Sequence, residues 1–196
     1  KIIMTGNPVR QNLENLEGLK DEAIAFFTLK AGLPVVLVLG GSLGAGSINN
    51  SLTENISRLG ISECQWLWQT GKYYYGKVNE KVSASGYDNI AVNGFINRMD
   101  YAYAAADIIV SRSGAGTISE LCLVGKPVIL VPSPNVAEDH QTRNALALSE
   151  KGAAVLIPDR QAASSLADEA VKLISDLNKR RMLSENISKL ALRNAD

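Results

Sequence analysis

The feature of the sequence that most constrains its fold is an alternation between short β-branched runs and longer segments of helical period. The six runs predicted as strands are 35–39, 64–69, 90–92, 108–111, 128–131 and 155–157. Each interval leaves room for one helix, and the first interval places Ile48, Leu52, Ile56 and Leu59 on one apolar stripe. Strands that are apolar on both faces and joined by crossover helices indicate a parallel sheet covered on both sides. The sequence therefore predicts an α/β fold with a doubly wound, Rossmann-like parallel sheet.

Glycine and proline residues predict where the later elements end. Gly125 and Pro127 end one helix, Gly152 ends the next, and Pro158 closes the last strand. The segment 164–193 is predicted to form two helices with a basic, solvated joint at 179–181. Because the sequence contains no repeat, low-complexity tract or linker, we expect one domain over residues 1–196.

Composition excludes several classes of protein. Acidic and basic residues balance at 20 each, so no overall field draws the chain to nucleic acid or to an anionic membrane. The longest apolar stretch, 34–39, is far shorter than a bilayer span, and the sequence after Lys1 does not resemble a signal peptide. We therefore expect a soluble chain that starts in mid-protein. Cys64 and Cys122, without a CxxC pair, are expected to be buried, reduced thiols of a cytoplasmic protein.

The loop after the first strand, 40–46, is rich in glycine and leads directly into a predicted helix. Ligands of open parallel sheets bind beyond the carboxyl ends of the strands, where this loop is expected to lie. Gly41 and Gly44 allow backbone amides to approach an anion, and a helix start adds partial positive charge. The loop therefore predicts a phosphate site to which Ser42 adds a hydroxyl. The alternative is an ordinary tight turn that needs glycine and a capping serine.

The loop after the fourth strand, 111–117, has a similar character. Small residues at a helix start leave amides open to a phosphate or a ribose, and these residues are Gly114, Ala115, Gly116 and Thr117. Glu120 can accept two hydrogen bonds from a vicinal diol, which is how a carboxylate binds a ribose. The spacing of Thr117 and Glu120 equally fits a capping box, in which the glutamate only caps the backbone. The residues alone leave both interpretations open.

A third loop, 132–144, is long and polar for a strand-to-helix connection. Gln141 and Asn144 are three residues apart at a predicted helix start, so both amides can face one ligand, and amides suit sugar hydroxyls. His140 is the only histidine. With no serine or cysteine elbow and no second metal ligand in the pattern, a hydrogen bond at the helix start is favoured for His140 over a catalytic or metal-binding role.

Two common nucleotide-binding motifs do not fit. A dinucleotide fingerprint needs glycines in the order G-x-G-x-x-G and an acidic residue at the end of the second strand, but that strand ends Trp68-Gln69-Thr70. No Walker lysine follows the first glycines either. The sequence therefore disfavours an NAD enzyme and a P-loop NTPase.

Five motifs in order give the sequence a resemblance to a known family. They are Thr5-Gly6-Asn7-Pro8-Val9-Arg10 and the stretches 40–45, 93–96, 111–120 and 138–145. In that order and spacing they resemble the C-terminal half of the MurG family, GT-B transferases that add N-acetylglucosamine (GlcNAc) from UDP-GlcNAc to lipid I to form lipid II. The resemblance runs from the first residues to about Pro158.

The resemblance implies a role for each matching position. Arg10 and Ser42 are expected to contact the diphosphate, the backbone of Phe95 and Ile96 to bind the uracil, and Met99 to line the base pocket. Glu120 is expected to hold the ribose, and Gln141 and Asn144 to face the GlcNAc hydroxyls. His140 stands where some family members carry glutamine, so its own role stays open.

The resemblance also implies an activity and its division between two domains. The reaction is an inverting displacement at the anomeric carbon with no cofactor and no required metal. The family places the proposed catalytic base, lipid I recognition and attachment to the cytoplasmic face of the inner membrane in an N-terminal domain that this chain lacks. We therefore expect the chain to bind UDP-GlcNAc and to catalyse nothing alone.

The alternatives are a related GT-B glycolipid transferase using UDP-galactose, a UDP-GlcNAc epimerase, and a nucleotide-sugar-binding module with no transfer activity. A Gly-Gly-x-Gly-Gly-His loop encoded upstream would support the lipid II enzyme, and its absence would support the binding module.

Overall fold

A computed structural model of the chain describes residues 13, 16–41, 43–134 and 139–191. The elements in chain order are α1 (Lys20–Phe26), β1 (Val35–Leu39), α2 (Gly46–Glu54), α3 (Ile56–Gly60), β2 (Gln65–Gln69), α4 (Lys72–Ser85), β3 (Ile90–Asn93), α5 (Met99–Ala105), β4 (Ile108–Ser111), α6 (Ala115–Val124), β5 (Val128–Leu130), α7 (His140–Ser149), β6 (Val155–Leu156), a 3₁₀ turn (Asp159–Gln161), α8 (Ala162–Ser175) and α9 (Leu177–Ser188). Each of the six predicted strands is present, with ends that shift by at most one residue.

The strands form one parallel sheet in the order β3-β2-β1-β4-β5-β6. This order is that of a doubly wound Rossmann fold, as the sequence predicted. The central strand β1 is buried on both faces, and its side chains alternate between two apolar clusters. Val36 and Val38 join the cluster under α2, α4 and α8, while Val35, Leu37 and Leu39 join the cluster on the opposite face.

The predicted helix after β1 is in fact two helices, separated at Asn55. The Asn55 side chain donates a 2.8 Å hydrogen bond to the carbonyl of Ser51, and its backbone amide turns instead to the carbonyl of Leu52. A side chain that competes for a backbone carbonyl in this way weakens a helix and often bends it. The apolar stripe survives the break, because all four predicted residues lie in the same buried cluster.

The joint between the last two helices also differs from the prediction. It lies at Asp176, not at the basic residues 179–181, which belong to the first turns of α9. Asp176 begins α9 by accepting a 2.9 Å hydrogen bond from the amide of Lys179. A helix N-terminus favours a carboxylate there, and this explains why the acidic residue and not the basic run marks the boundary.

The other predicted boundaries are confirmed. Gly125 ends α6 with a positive φ of 67°, and Gly152 lies just beyond α7 with a φ of 62°.

The two cysteines, Cys64 and Cys122, are buried free thiols, as the sequence predicted, and burial raises the pKa of both.

Candidate functional site

A cleft of about 250 Å³ lies at the carboxyl edge of the sheet, between the loops that follow β1 and β4. The chain leaves β1 for β2 on one side and later adds β4 on the other, so this is the switch point where ligands of such sheets bind. The lining residues come from the ends of three strands, the loops that follow β1, β3 and β4, and the helices α5 and α6: Leu39, Gly40, Gly41, Gln69, Phe95, Ile96, Met99, Tyr103, Ser111, Arg112, Thr117 and Glu120. Six of them are residues that the sequence singled out.

The two glycines predicted to bind phosphate have different surroundings. Gly41 lines the cleft with a φ of 72°, and a side chain there would meet open space. Gly44, with a φ of 93°, packs so closely against α4 that an added Cβ would lie 2.4 Å from the ring of Tyr74. Gly41 is therefore placed to present its backbone to a ligand, whereas Gly44 allows close packing of the loop. Ser42 and Arg10 lie outside the described residues, so their predicted contacts stay predictions.

A buried network behind this loop holds it to the loop after β2. Asn49 of α2 is fully buried, accepts a 3.0 Å hydrogen bond from the indole of Trp68, and donates a 2.8 Å bond to the carbonyl of Thr70. Gly71 follows with a φ of 80°. The sequence alone does not indicate this network, because an asparagine within an amphipathic helix resembles a solvent-exposed residue until its partners are known.

The predicted base side of the cleft is formed by the loop after β3 and the start of α5. Ile96 and Met99 are buried, and Phe95 is 44% exposed at the rim. The amide of Ile96 donates a 2.8 Å hydrogen bond to Oε1 of Gln69. This bond ties the loop after β3 to the end of β2. Recognition of uracil by this backbone stays a prediction.

The start of α6 decides between the two interpretations of Glu120. The helix begins at Ala115 with Gly114 as its N-cap, and no side chain caps it. Thr117 is therefore the third helical residue and Glu120 the sixth, so the capping-box alternative is wrong. The amides from Gly114 to Thr117 precede the first i to i−4 bond, which Ile118 makes to Gly114. These amides are suited to an anion, and Thr117 lines the cleft.

The carboxylate of Glu120 accepts a hydrogen bond from a tyrosine. The Tyr103 hydroxyl of α5 donates a hydrogen bond of 3.1 Å to Oε2 of Glu120. Both side chains line the cleft. The carboxylate thus lies at the cleft, and its predicted bonds to a ribose stay a prediction.

Arg112 is a cleft residue that the sequence did not single out for a role. Its guanidinium pairs with Asp159 and donates to the Ser47 hydroxyl at 2.9 Å and to the Val131 carbonyl at 2.9 Å. It thereby ties the loops after β4, β5 and β6 to the start of α2. A lone arginine in a glycine-rich loop carries no sequence signal of its distant partner, Asp159.

The carboxamides of Gln141 and Asn144 also connect loops. Gln141 Oε1 accepts a 2.9 Å hydrogen bond from the amide of Ser133, and Asn144 Nδ2 donates a 2.9 Å bond to the carbonyl of Ser113. The predicted contacts with sugar hydroxyls stay predictions. His140 is exposed and is the first residue of α7, at the helix start that the sequence predicted.

Three further observations concern metal binding, membrane spanning and a second cavity in the described residues. No group of three or more histidine, cysteine, aspartate or glutamate side chains that could hold a metal is found among them. In the same part of the chain, no helix has the length and apolar character needed to cross a bilayer. A larger cavity of about 500 Å³ lies at the opposite, amino edge of the sheet, beside Lys20, Leu33 and Asp107.

A doubly wound sheet with helix-start amides and a carboxylate at its switch point is an arrangement typical of nucleotide-binding domains. Comparison with known proteins shows the family to which the chain belongs. The profile of the glycosyltransferase family 28 C-terminal domain matches residues 35–195, and the chain belongs to this family.

One relative is the UDP-N-acetylglucosamine–N-acetylmuramyl-(pentapeptide) pyrophosphoryl-undecaprenol N-acetylglucosamine transferase of Parabacteroides distasonis. It is 51% identical over 195 residues, which cover 100% of this chain and 53% of the relative. The chain thus spans about half the length of this relative.

Solved structures agree with the fold. Acinetobacter baumannii MurG superposes with a TM-score of 0.75 at 25% identity, covering 93% of this chain and 52% of that protein. Anabaena HepE, solved with UDP and glucose, has a TM-score of 0.69 at 17% identity over 96% of this chain and 51% of that protein. At this identity, the similarity to HepE shows only that the two proteins share a fold.

Proposed function

We propose that this chain is the UDP-GlcNAc-binding domain of an inverting glycosyltransferase that transfers GlcNAc to lipid I and so forms lipid II. The observation that carries the proposal is the 51% identity, over the whole chain, to a transferase of that name. The cleft supports it, since open amides at the start of α6 suit a diphosphate and Glu120 suits a ribose.

In the proposed reaction, an acceptor hydroxyl attacks the anomeric carbon of GlcNAc while the bond from that carbon to the UDP oxygen breaks. Negative charge collects on the departing diphosphate. Preorganised amides stabilise such charge strongly in a site that excludes water. The amides at the start of α6, together with Arg10, would supply this stabilisation, so the proposal includes no required metal and no cofactor.

The half of these relatives that this chain does not match is proposed to carry the other functions of the enzyme. That half would provide the general base, bind lipid I and attach the enzyme to the cytoplasmic face of the inner membrane. Residues 1–196 would act as one domain that binds the donor, with no nucleic acid partner. A glycolipid transferase, an epimerase and a binding module are less well supported, because the relative with 51% identity is named a GlcNAc transferase.

A transfer assay tests this proposal. We expect no transfer of radiolabelled GlcNAc to a lipid I analogue by this chain alone, and turnover when the chain is joined to the N-terminal half of the Parabacteroides distasonis relative. The intact relative serves as the positive control. Turnover by the chain alone would refute the proposed division of labour. A joined protein that binds UDP-GlcNAc but transfers nothing would contradict the assignment as a transferase.

A further inference from the structure

Tyr103 is a buried aromatic residue whose polar end reaches the cleft. Its side chain is 1% exposed and packs in the apolar cluster that contains Leu37, Leu67 and Ile109. Tyr103 is nevertheless a lining residue of the cleft, and its hydroxyl donates to Oε2 of Glu120 at 3.1 Å. Packing fixes the ring, so the position of the hydroxyl is fixed as well.

This hydrogen bond links two sides of the cleft. Tyr103 lies on α5, which also carries Met99 of the predicted base side, and Glu120 lies on α6, whose start is the predicted phosphate site. Side chains that bind a ligand must be held in place by a second layer of contacts, since a loose carboxylate loses conformational freedom when it binds. An ionised carboxylate has about four lone-pair positions, so one bond to the phenol is compatible with further bonds to a diol.

We propose that Tyr103 is a positioning residue that orients the carboxylate of Glu120 for the two ribose hydroxyls. The inference rests on the proposed function, because it assumes that the cleft binds a uridine nucleotide through Glu120. Tyr103 does not touch the nucleotide in this account. It acts through Glu120, so its contribution to nucleotide affinity should vanish when Glu120 is absent.

A double-mutant cycle tests this dependence. Affinities for UDP and 2′-deoxy-UDP are measured by calorimetry for the parent chain, Tyr103→Phe, Glu120→Ala and the double variant. We expect Tyr103→Phe to weaken UDP binding by about three- to tenfold, the usual size of one hydrogen bond, and to reduce the preference for the ribose hydroxyl. In the Glu120→Ala background, the same change should have no further effect.

Tyr101 provides a matched control on the same helix. Its hydroxyl donates a 2.9 Å hydrogen bond to Oε2 of Glu22, which is exposed and is not a lining residue of the cleft. Tyr101→Phe therefore removes an equivalent tyrosine–glutamate bond from α5, and we expect it to leave both affinities unchanged.

Each outcome decides the question. Effects of Tyr103→Phe that are equal with and without Glu120, or a Tyr103→Phe chain that fails to fold, would assign the hydroxyl to stability and overturn the inference. If Glu120→Ala itself leaves the ribose preference intact, Glu120 does not bind the ribose and the inference is wrong with it. If only Tyr103→Phe has no effect, the site stands and the positioning role is wrong.

Discussion

Glu120→Ala is expected to weaken UDP binding by roughly 1.5 to 3 kcal/mol, which is about ten- to a hundredfold. Hydrogen bonds to a charged group have this size, and the carboxylate lines the cleft where a ribose would lie. The same substitution should weaken 2′-deoxy-UDP far less, because that ligand lacks one of the two hydroxyls. Titration calorimetry with both nucleotides measures the difference.

The control for this substitution is Glu80→Ala, which removes an exposed glutamate from α4, outside the cleft lining. We expect it to leave both affinities unchanged. An unchanged ratio of UDP to 2′-deoxy-UDP affinity in Glu120→Ala would remove Glu120 from the site. Since α6 begins at Ala115, a capping role for Glu120 is no longer available as the explanation of any loss.

Gly71→Ala is expected to lower the free energy of unfolding by about 2 to 6 kcal/mol. Gly71 has a φ of 80° and a ψ of 150°, a region open in practice only to glycine, which contributes about 1 to 3 kcal/mol. An added Cβ would also lie 2.3 Å from the amide nitrogen of Gly44, where overpacking costs about as much again. Chemical denaturation of the two chains measures the loss.

Gly76→Ala, in the helix that Gly71 precedes, is the control substitution. It lies in the interior of α4, with nothing within 4 Å of an added Cβ, so it should raise stability by about 1 kcal/mol. If Gly71→Ala were as stable as the parent chain, the two loops would not be packed as closely as described. Because Gly44 belongs to the loop at the cleft, we also expect Gly71→Ala to weaken UDP binding.

The sequence was sufficient to predict the sheet because its signal is local. A strand such as β1 is apolar at every position and is bounded by Pro34 and Gly40, so its span follows from five consecutive residues. The position of the cleft could be predicted from the same apolar runs, since the carboxyl ends of parallel strands lie at one edge of the sheet. The break at Asn55 could not be predicted, because it depends on one side chain taking a carbonyl from the helix.

The contacts that shape the cleft join residues far apart in the chain. Arg112 pairs with Asp159, and Trp68 bonds Asn49, and no spacing rule connects either pair. The capping-box question was also beyond the sequence, because Gly114 and Thr117 are both acceptable helix starts and only the backbone distinguishes them. Nothing in the sequence distinguishes Tyr103 from an ordinary core aromatic residue, and only the fold brings its hydroxyl beside Glu120.

Backbone amide shifts recorded by NMR during a titration with UDP-GlcNAc show whether this ligand binds in the cleft at the carboxyl edge of the sheet. We expect the shift changes to concentrate at cleft residues such as Gly41, Ile96 and Thr117, and ADP to cause much smaller ones. Changes concentrated around Lys20 and Asp107, at the cavity on the amino edge, or equal responses to ADP and UDP-GlcNAc, would contradict this prediction.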